Sequence, residues 1–256
     1  MNGGGKLRGA GILITRPARQ AAGLARAIAA LGGRPFIFPA MVILPPDDRR
    51  ALNKAQRELS SYDYAVFVSA NAAEYGVGDA AAWPQELIAF APGPGTAAAL
   101  AAVGVTNVRV PATSMDSEGM LALPEFQKVS GKRVVIFRGG GGRELLGETL
   151  ASRGASIDYV DCYRRARPES GAAGLEEALR EGRIDAVTLT SSEGLDNLWH
   201  ILGTEARKRF AAIPAFVPHA RIAQRARELG VSRPIVTAPA DAGLIAALLE
   251  YFGSPG

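Results

Sequence analysis

The feature that most constrains the fold is a long segment that occurs twice in the chain. The stretch GILITRPARQAAGLARAIAALGGRPFIF starts at Gly11, and RVVIFRGGGGRELLGETLASRGASIDYV starts 122 residues later, at Arg133. DYAVFVSAN, from Asp63, precedes DAVTLTSSE, from Asp185, by the same offset, and FAPGPGTAAALAAVG precedes FVPHARIAQRARELG by 126 residues. This period is far longer than that of a solenoid. The repeat therefore predicts two similar lobes with a ligand cleft between them.

Each copy alternates short apolar runs with amphipathic helical stretches. This alternation is typical of α/β proteins, whose parallel sheets are flanked by helices, and we predict that both lobes belong to this class. The pattern predicts one continuous helix over Glu118–Phe126. It predicts no element between Phe38 and Arg49, or between Leu202 and Ala215.

Composition and charge exclude several classes of protein. Of the 256 residues, 48% are hydrophobic and 21% are charged, as in ordinary globular proteins. The sequence contains one cysteine, no recognisable signal peptide and no apolar run of the roughly 20 residues that span a bilayer, so we expect a cytoplasmic protein without membrane contact. The net charge of +4 is spread along the chain without a nucleic-acid motif, which argues against nucleic-acid binding and suits an acidic ligand.

Four consecutive glycines, Gly139–Gly142, lie between an apolar run and a helical stretch. The dinucleotide fingerprint does not fit, because its third glycine would fall on Glu144 or Leu145, and a phosphate loop ending in G-K-[ST] is absent. Free amides at a helix start, flanked by Arg138 and Arg143, would still favour an anion. A plain glycine turn with solvated arginines is the alternative.

Four further turns follow predicted strands and open predicted helices: VSAN, APGPGT, TSSE and PHAR. Ser69 and Ser191 could simply cap their helices by accepting backbone N–H bonds. The sharper hypothesis is that helix N-termini from both lobes face one cleft, since ligands of open parallel sheets bind beyond the carboxyl ends of the strands. Such a set of amides would suit a ligand with many carboxylates.

Established catalytic constellations are missing from the sequence. His200, His219 and Cys162 are too few and too scattered for a zinc site, and no nucleophile elbow or spaced pair of acids stands out. Tyr163 remains, because it ends an apolar run and is followed by three arginines. A phenol near cations can donate a proton to a departing oxygen. A half-buried ring with its hydroxyl in water is the alternative.

Seven stretches, in this order along nearly the whole chain, resemble the uroporphyrinogen-III synthase family: ILITRP, VFVSANAAEYG, APGPGTAAALAAVG, VVIFRGGGGRELLGETLASRGA, VDCYRRARP, VTLTSSEGLDNL and HARIAQRARELG. The resemblance implies two α/β lobes joined by two crossover segments. It further implies that the chain ends, 1–40 and 164–256, build lobe one and that residues 41–163 build lobe two. The copies would thus exchange their first strand–helix–strand segments.

The resemblance also implies an activity. Members of this family convert hydroxymethylbilane, a linear tetrapyrrole with eight carboxylates, into uroporphyrinogen III. They remove the terminal hydroxyl as water, invert ring D through a spiro intermediate and close the macrocycle, without a metal or an organic cofactor. We expect a monomer of tetrapyrrole and heme biosynthesis, and association with the preceding enzyme, hydroxymethylbilane synthase, stays open. The alternative is a non-catalytic or regulatory relative that binds small acids.

The site residues that the resemblance implies comprise one catalytic residue and a set of substrate contacts. Tyr163 matches the tyrosine proposed to assist departure of the hydroxyl. The turn of the second copy departs from the family, because it reads Pro218-His219-Ala220-Arg221 where many relatives have glycine and threonine. His219 or Arg221 would replace that threonine. The expected substrate contacts are Arg16, Ser69, Ala70, Thr96, Arg138, Gly139, Gly140, Ser191, Ser192, His219 and Arg221.

Overall fold

The structure is a computed structural model that describes residues 6–79, 83–141, 144–169 and 171–253. Its strands are β1 (Gly11–Ile14), β2 (Arg34–Ile37), β3 (Val42–Leu44), β4 (Tyr64–Phe67), β5 (Ile88–Phe90), β6 (Val108–Arg109), β7 (Arg133–Gly139), β8 (Ser156–Ala166), β9 (Ala186–Thr188), β10 (Pro214–Val217) and β11 (Arg233–Val236). Its α-helices are α1 (Ala18–Ala30), α2 (Arg50–Arg57), α3 (Ala70–Gly76), α4 (Pro94–Ala102), α5 (Ser117–Leu121), α6 (Pro124–Gln127), α7 (Leu145–Ser152), α8 (Ala173–Arg180), α9 (Ser192–Ile201), α10 (Thr204–Ala212), α11 (Ala220–Glu228) and α12 (Ala240–Gly253).

The chain divides into two units, each with its own sheet. Unit 1 comprises Met1–Val42 and Ala166–Gly256, and unit 2 comprises Ile43–Arg165. The sheet of unit 1 has the strand order β11-β10-β9-β1-β2, and all of its neighbouring strands are parallel. The other sheet has the order β3-β8-β7-β4-β5-β6, and its pairs from β8 to β6 are parallel. The predicted α/β class with parallel sheets is therefore confirmed.

The strand register repeats with the sequence. Ile12 of β1 pairs with Ala186 of β9 in unit 1. Val134 of β7 pairs with Tyr64 of β4 in unit 2, and these two residues are the 122-residue counterparts of Ile12 and Ala186. The sheet of unit 1 therefore takes two strands from the first copy of the repeat and three from the second, and the sheet of unit 2 takes two strands from the second copy and four from the first.

The core of unit 1 lies on both faces of its sheet, because side chains alternate along each strand. Leu13 and Val187 point to the face covered by α8, α9, α10 and α11, whereas Ile12 and Ile14 point to the face covered by α1 and α12. All four side chains are fully buried. Burying a side chain of this size stabilises a fold by about 1.5–3 kcal/mol. Burial on both faces of the sheet therefore holds β1 and β9 firmly in place.

The core of unit 2 follows the same rule. Phe67 and Phe137 stack at 4.8 Å on the face covered by α2, α3 and α4. Phe90 and Phe126 stack at 4.3 Å on the face covered by α5, α6 and α7. Both clusters include strand residues from either copy of the repeat, so the exchanged β7 is central to the core as well as to the sheet.

Three details differ from the sequence-based expectations. The predicted helix over Glu118–Phe126 is two helices, because Pro124 disfavours a helical conformation at Leu123, which is extended. Helix α10 was not predicted, since it buries only Ala206 and Phe210 and is otherwise highly charged. Strand β3 has only three residues before two prolines and gives too short a pattern to recognise.

Among the described residues, no α-helix is both long enough and apolar enough to cross a membrane.

An aspartate ties each exchanged strand to its sheet. The backbone N–H of Arg133 donates to the Asp63 carboxylate at 2.9 Å, and the N–H of Asp63 donates to the Arg133 carbonyl at 2.9 Å. Asp185 and Gly11 form the same two bonds in unit 1, at 2.6 and 2.7 Å. The hydrogen bond from Lys132, at 2.8 Å, and the Arg133 N–H lower the pKa of Asp63. The first residue of β7 and the first residue of β1 are thus each held by two hydrogen bonds to an aspartate, an arrangement that we call the aspartate clamp.

The Asp63 clamp predicts a pH-dependent stability. Since the pKa of Asp63 is lower in the folded than in the unfolded chain, its contribution is present above the unfolded pKa and is lost as the pH falls through the folded pKa. Asp63→Asn should lower the free energy of unfolding by about 1 kcal/mol at pH 7, and this difference should be smaller at a pH below the folded pKa of Asp63. Urea unfolding at both pH values measures it, with exposed Glu86→Gln as the control. An equal difference at both pH values would contradict the clamp.

Candidate active site

Unit 2 presents several predicted site residues at the carboxyl edge of its sheet. Strands β4, β5 and β7 are parallel neighbours or share a neighbour, so their carboxyl ends lie at one edge. Ser69 and Ala70 follow β4, Thr96 lies in the first turn of α4 after β5, and Gly139 and Gly140 end β7 and begin the next loop. The sequence-predicted residues of this unit are therefore brought to the same edge.

Ser69 has two roles in this arrangement. It is the N-cap of α3, where its hydroxyl oxygen accepts a hydrogen bond from the Ala72 N–H at 3.1 Å. The same oxygen lies 3.2 Å from the phenol oxygen of Tyr163. The helix cap thus connects directly to the proposed catalytic side chain.

Tyr163 is buried, with 2% of its surface exposed. The alternative of a half-buried ring with its hydroxyl in water is therefore wrong, because the hydroxyl is bonded to Ser69. The Tyr75 ring centroid lies 6.3 Å from that of Tyr163, and the Arg165 guanidinium lies 6.0 Å from the Tyr163 ring centroid. The phenol is consequently held in a defined position beside a cation.

A β-bulge shapes the end of β8. Arg138 pairs with Asp161, but the next residue of β7, Gly139, pairs with Tyr163, so β8 carries one extra residue, Cys162. A bulge bends its strand and redirects the side chains that follow. Here it places Cys162 and Tyr163 consecutively in the same buried cluster. The regular alternation of a strand would not do this.

The thiol of Cys162 is a structural group. It is fully buried, donates to the Arg138 carbonyl at 3.3 Å, and has a pKa raised by burial to about 12. A thiol with this pKa has a negligible thiolate fraction at neutral pH, and the thiolate is the reactive form. Cysteine chemistry is therefore not available at this site.

The glycine loop is described only in part. The Gly140 N–H donates to the Tyr163 carbonyl at 3.2 Å, and Gly141 has a φ of +76°, which favours glycine. Gly142 and Arg143 lie outside the described residues. The described loop thus starts from the bulge and needs at least one glycine for its backbone conformation.

Arg138 is more constrained than the sequence suggested. Its Nε donates to Asp161 at 3.1 Å, its guanidinium lies 4.2 Å from the Tyr159 ring centroid, and Glu144 is 3.9 Å from its Nη1. That Nη1 is buried and finds no hydrogen-bond partner among the described residues. Asp161 and Glu144 therefore offset much of the positive charge of Arg138, while its Nη1 remains available as a hydrogen-bond donor.

The carboxyl edge of unit 1 carries the other predicted residues. Ser191 caps α9 by accepting from the Gly194 N–H at 2.9 Å, and Ser192 is the first residue of that helix. His219 caps α11, because its Nδ1 accepts from the Arg221 N–H at 3.1 Å. Both His219 and Arg221 are exposed.

Arg16 lines a pocket of about 360 Å³ in unit 1, together with Gln20, Thr190, Pro218, Ala240, Asp241 and Leu244. Its Nη1 donates to Asp241 at 2.7 Å, and its buried Nε finds no partner within the part of the chain that the structure describes. Ala240 has a left-handed φ of +64° immediately before Asp241.

The sequence analysis did not identify Asp161 and Asp241, the partners of Arg138 and Arg16, since single acids give no distinguishing pattern.

Comparisons with known proteins agree on one family. A family model described as uroporphyrinogen-III synthase HemD matches residues 22–246. The uroporphyrinogen-III synthase of Salmonella typhimurium is 36% identical over 226 residues, which cover 86% of this chain and 91% of that protein. The uroporphyrinogen-III synthase of Escherichia coli is 33% identical with the same coverage.

Solved structures show the same fold. The uroporphyrinogen-III synthetase of Helicobacter pylori has a TM-score of 0.61 at 13% identity, and the match covers 94% of this chain and 99% of that one. A mutant uroporphyrinogen III synthase of Thermus thermophilus has a TM-score of 0.55 at 18% identity, covering 95% and 97%. At these identities, the two structures bear on the fold alone.

The capping role of Ser191 can be measured by itself. Ser191→Ala should lower the free energy of unfolding by about 1 kcal/mol, because the Gly194 N–H loses its acceptor. Ser191→Asn and Ser191→Asp should retain nearly full stability, since both residues cap well. Thermal and urea unfolding of the three variants test this, and equal losses in all three would contradict the cap.

Proposed function

Because the chain belongs to the uroporphyrinogen-III synthase family, it is an enzyme of tetrapyrrole biosynthesis, and we propose that the carboxyl edge of unit 2 carries its chemistry. The reaction converts hydroxymethylbilane into uroporphyrinogen III. The bond between the terminal CH₂ group and its hydroxyl breaks, water leaves, ring D inverts through a spiro intermediate, and the macrocycle closes. The observation that carries the site proposal is the buried Tyr163 phenol on Ser69.

Tyr163 is the catalytic residue in this proposal. Its phenol donates a proton to the departing hydroxyl, which leaves as water. Closure of the macrocycle at a pyrrole carbon releases one proton, and this proton returns to the phenolate, so the residue is regenerated. Ser69 can donate to or accept from the phenol oxygen, and it can therefore stabilise the phenolate between the two steps. Positioned acids of this kind typically contribute 10²–10⁴-fold to a rate.

Binding of the substrate relies on main-chain amides more than on arginines. Arg16 and Arg138 are both engaged with carboxylates of the protein itself. The first turns of α3, α4, α9 and α11 instead present N–H groups that the helices leave without partners. Helix N-termini favour anions, and the eight carboxylates of the bilane need many such donors. We propose that Ser69, Ala70, Thr96, Gly139, Ser191 and Ser192 contribute contacts of this kind. The N–H groups of Gly140 and Arg221 already donate to Tyr163 and His219, so we propose that His219 and Arg221 contribute through their side chains.

Exposed apolar side chains also occur at these carboxyl edges. Val68 follows β4, Leu145 follows the glycine loop, and Ile37 and Val236 end β2 and β11. Large apolar side chains next to anion-binding amides suit a ligand whose carboxylates extend from flat pyrrole rings. They support a tetrapyrrole over a small phosphorylated ligand.

The cleft between the lobes, the monomeric state, the cytoplasmic location and association with hydroxymethylbilane synthase stay predictions from the sequence.

The isomer produced from fresh hydroxymethylbilane tests the proposed activity. The bilane closes spontaneously to the type I isomer, whereas a synthase yields type III. Porphyrins are analysed by chromatography after oxidation. Type III product would support the enzyme. Type I alone, at the spontaneous rate, would support the non-catalytic relative that binds small acids.

Tyr163→Phe tests the role of the phenol. We expect kcat to fall about 100-fold with little change in KM, because the ring stays and only the proton donor is lost. The fraction of type I product should rise, since spontaneous closure then competes. Tyr62→Phe is the matched control, because Tyr62 is also buried and donates to Asp158 at 2.8 Å, but it precedes β4 at the opposite edge of the sheet. Unchanged kcat in Tyr163→Phe would contradict the proposal.

A charge placed at the edge of unit 1 tests the binding of carboxylates there. Ser191→Asp adds a carboxylate beside the amides of α9 and keeps the cap, so KM should rise about tenfold while kcat is unchanged. Ser191→Asn provides the neutral control and should retain the KM of the unmodified chain. Added salt should reduce the effect of the charge. Equal KM values in the two variants would show that substrate carboxylates do not approach this turn.

A further inference from the structure

Gly139 and Tyr163 are paired so closely that Gly139 has no room for a side chain. A Cβ built on Gly139 would lie 2.6 Å from Cε2 and Cζ of the Tyr163 ring and 3.0 Å from its hydroxyl oxygen. Ordinary contacts of a Cβ start at about 3.4 Å. The Tyr163 ring therefore packs directly on the main chain of β7.

The bulge creates this contact. The pairing of Gly139 with Tyr163, rather than with Cys162, brings the ring onto the glycine. The counterpart of Gly139 in the first copy is Pro17, and β1 pairs with β2 over four residues without a shift. The ladder of β1 and β2 ends at Ile14, before the position that corresponds to the bulge, whereas the ladder of β7 and β8 continues through it. Departures of this kind from a regular pattern concentrate at functional sites.

The ring of Tyr163 cannot move away from Gly139 without moving its phenol oxygen away from Ser69. The ring is buried among the side chains of one core cluster, and its backbone carbonyl accepts from the Gly140 N–H. An added methyl group would push the ring by roughly 0.8 Å to reach an ordinary contact, whereas catalytic groups tolerate displacements of about 0.5 Å. The phenol oxygen would leave its place on Ser69.

We propose that Gly139 is a positioning residue for Tyr163: its missing side chain, together with the bulge at Cys162, sets where the phenol oxygen lies. The inference rests on the proposed function of Tyr163. Gly139 thus acts on the reaction through the tyrosine, beyond any contact of its amide with the substrate.

A double-mutant cycle tests this inference. Gly139→Ala should lower kcat between about tenfold and 100-fold, as expected for a displacement near 1 Å, with KM nearly unchanged. In the Tyr163→Phe background, the same change should lower kcat by less than about twofold, because no phenol remains to be displaced. Gly76→Ala is the control, since its Cβ would press on Phe137 in the same unit at 3.0 Å. It should reduce stability and leave kcat unchanged.

The outcomes separate the two proposals. If Tyr163→Phe has normal kcat, the proposed role of Tyr163 is wrong. If Tyr163→Phe is slow but Gly139→Ala has normal kcat, the positioning role of Gly139 is wrong. It is also wrong if Gly139→Ala slows both backgrounds equally, which would indicate a direct effect on the substrate or on the fold.

A folding readout covers the case in which Gly139→Ala does not fold. The collision involves the ring of Tyr163, so the double variant Gly139→Ala/Tyr163→Leu should recover the far-ultraviolet circular dichroism of the folded chain. A double variant that remains unfolded would show that the Tyr163 ring is not what Gly139 accommodates, and would overturn the inference.

Discussion

The parallel pairing of β1 with β9, and of β7 with β4, is the constraint on which the rest of the structure depends. In both sheets, the strand supplied by the other copy occupies an interior position, so neither copy can complete a sheet from its own strands. The aspartates at 63 and 185 bind the first residue of each exchanged strand. Because strand ends determine where the following turns lie, this pairing also places the amide-rich turns of the two carboxyl edges.

The two units share a framework and differ in chemistry. Both edges offer helix N-termini to anions, yet only unit 2 has the bulge that buries a phenol beside Ser69. Arg16 and Arg138 are paired with aspartates, so the backbone amides become the more important donors. In the proposed function, these amides bind a polycarboxylate and Tyr163 is the one weak acid beside them. This arrangement suits a reaction in which the fold of the substrate decides which ring carbon reacts.

The repeat and the ordered motifs were sufficient to predict the α/β class, the family and the activity, all of which are confirmed. Local patterns could not predict α10, which buries only two side chains, or β3, which is too short. The bulge at Cys162 depends on pairing between two strands and leaves no trace in either strand alone. The neutralisation of Arg16 by Asp241 requires residues 225 positions apart, and a single sequence does not show that they meet.

The strand exchange also has a consequence for synthesis on the ribosome. Unit 2 is one continuous stretch and can fold as soon as its last strand has emerged. Strand β1 must instead wait for β9, about 170 residues further along the chain, which at ~5–20 residues per second takes roughly 10–35 s. During that interval, its apolar residues Ile12, Leu13 and Ile14 can pair with β2 but lack the second neighbouring strand, β9. The N-terminal segment is therefore synthesised first but completes its sheet late, although β1 lies at an interior position of that sheet.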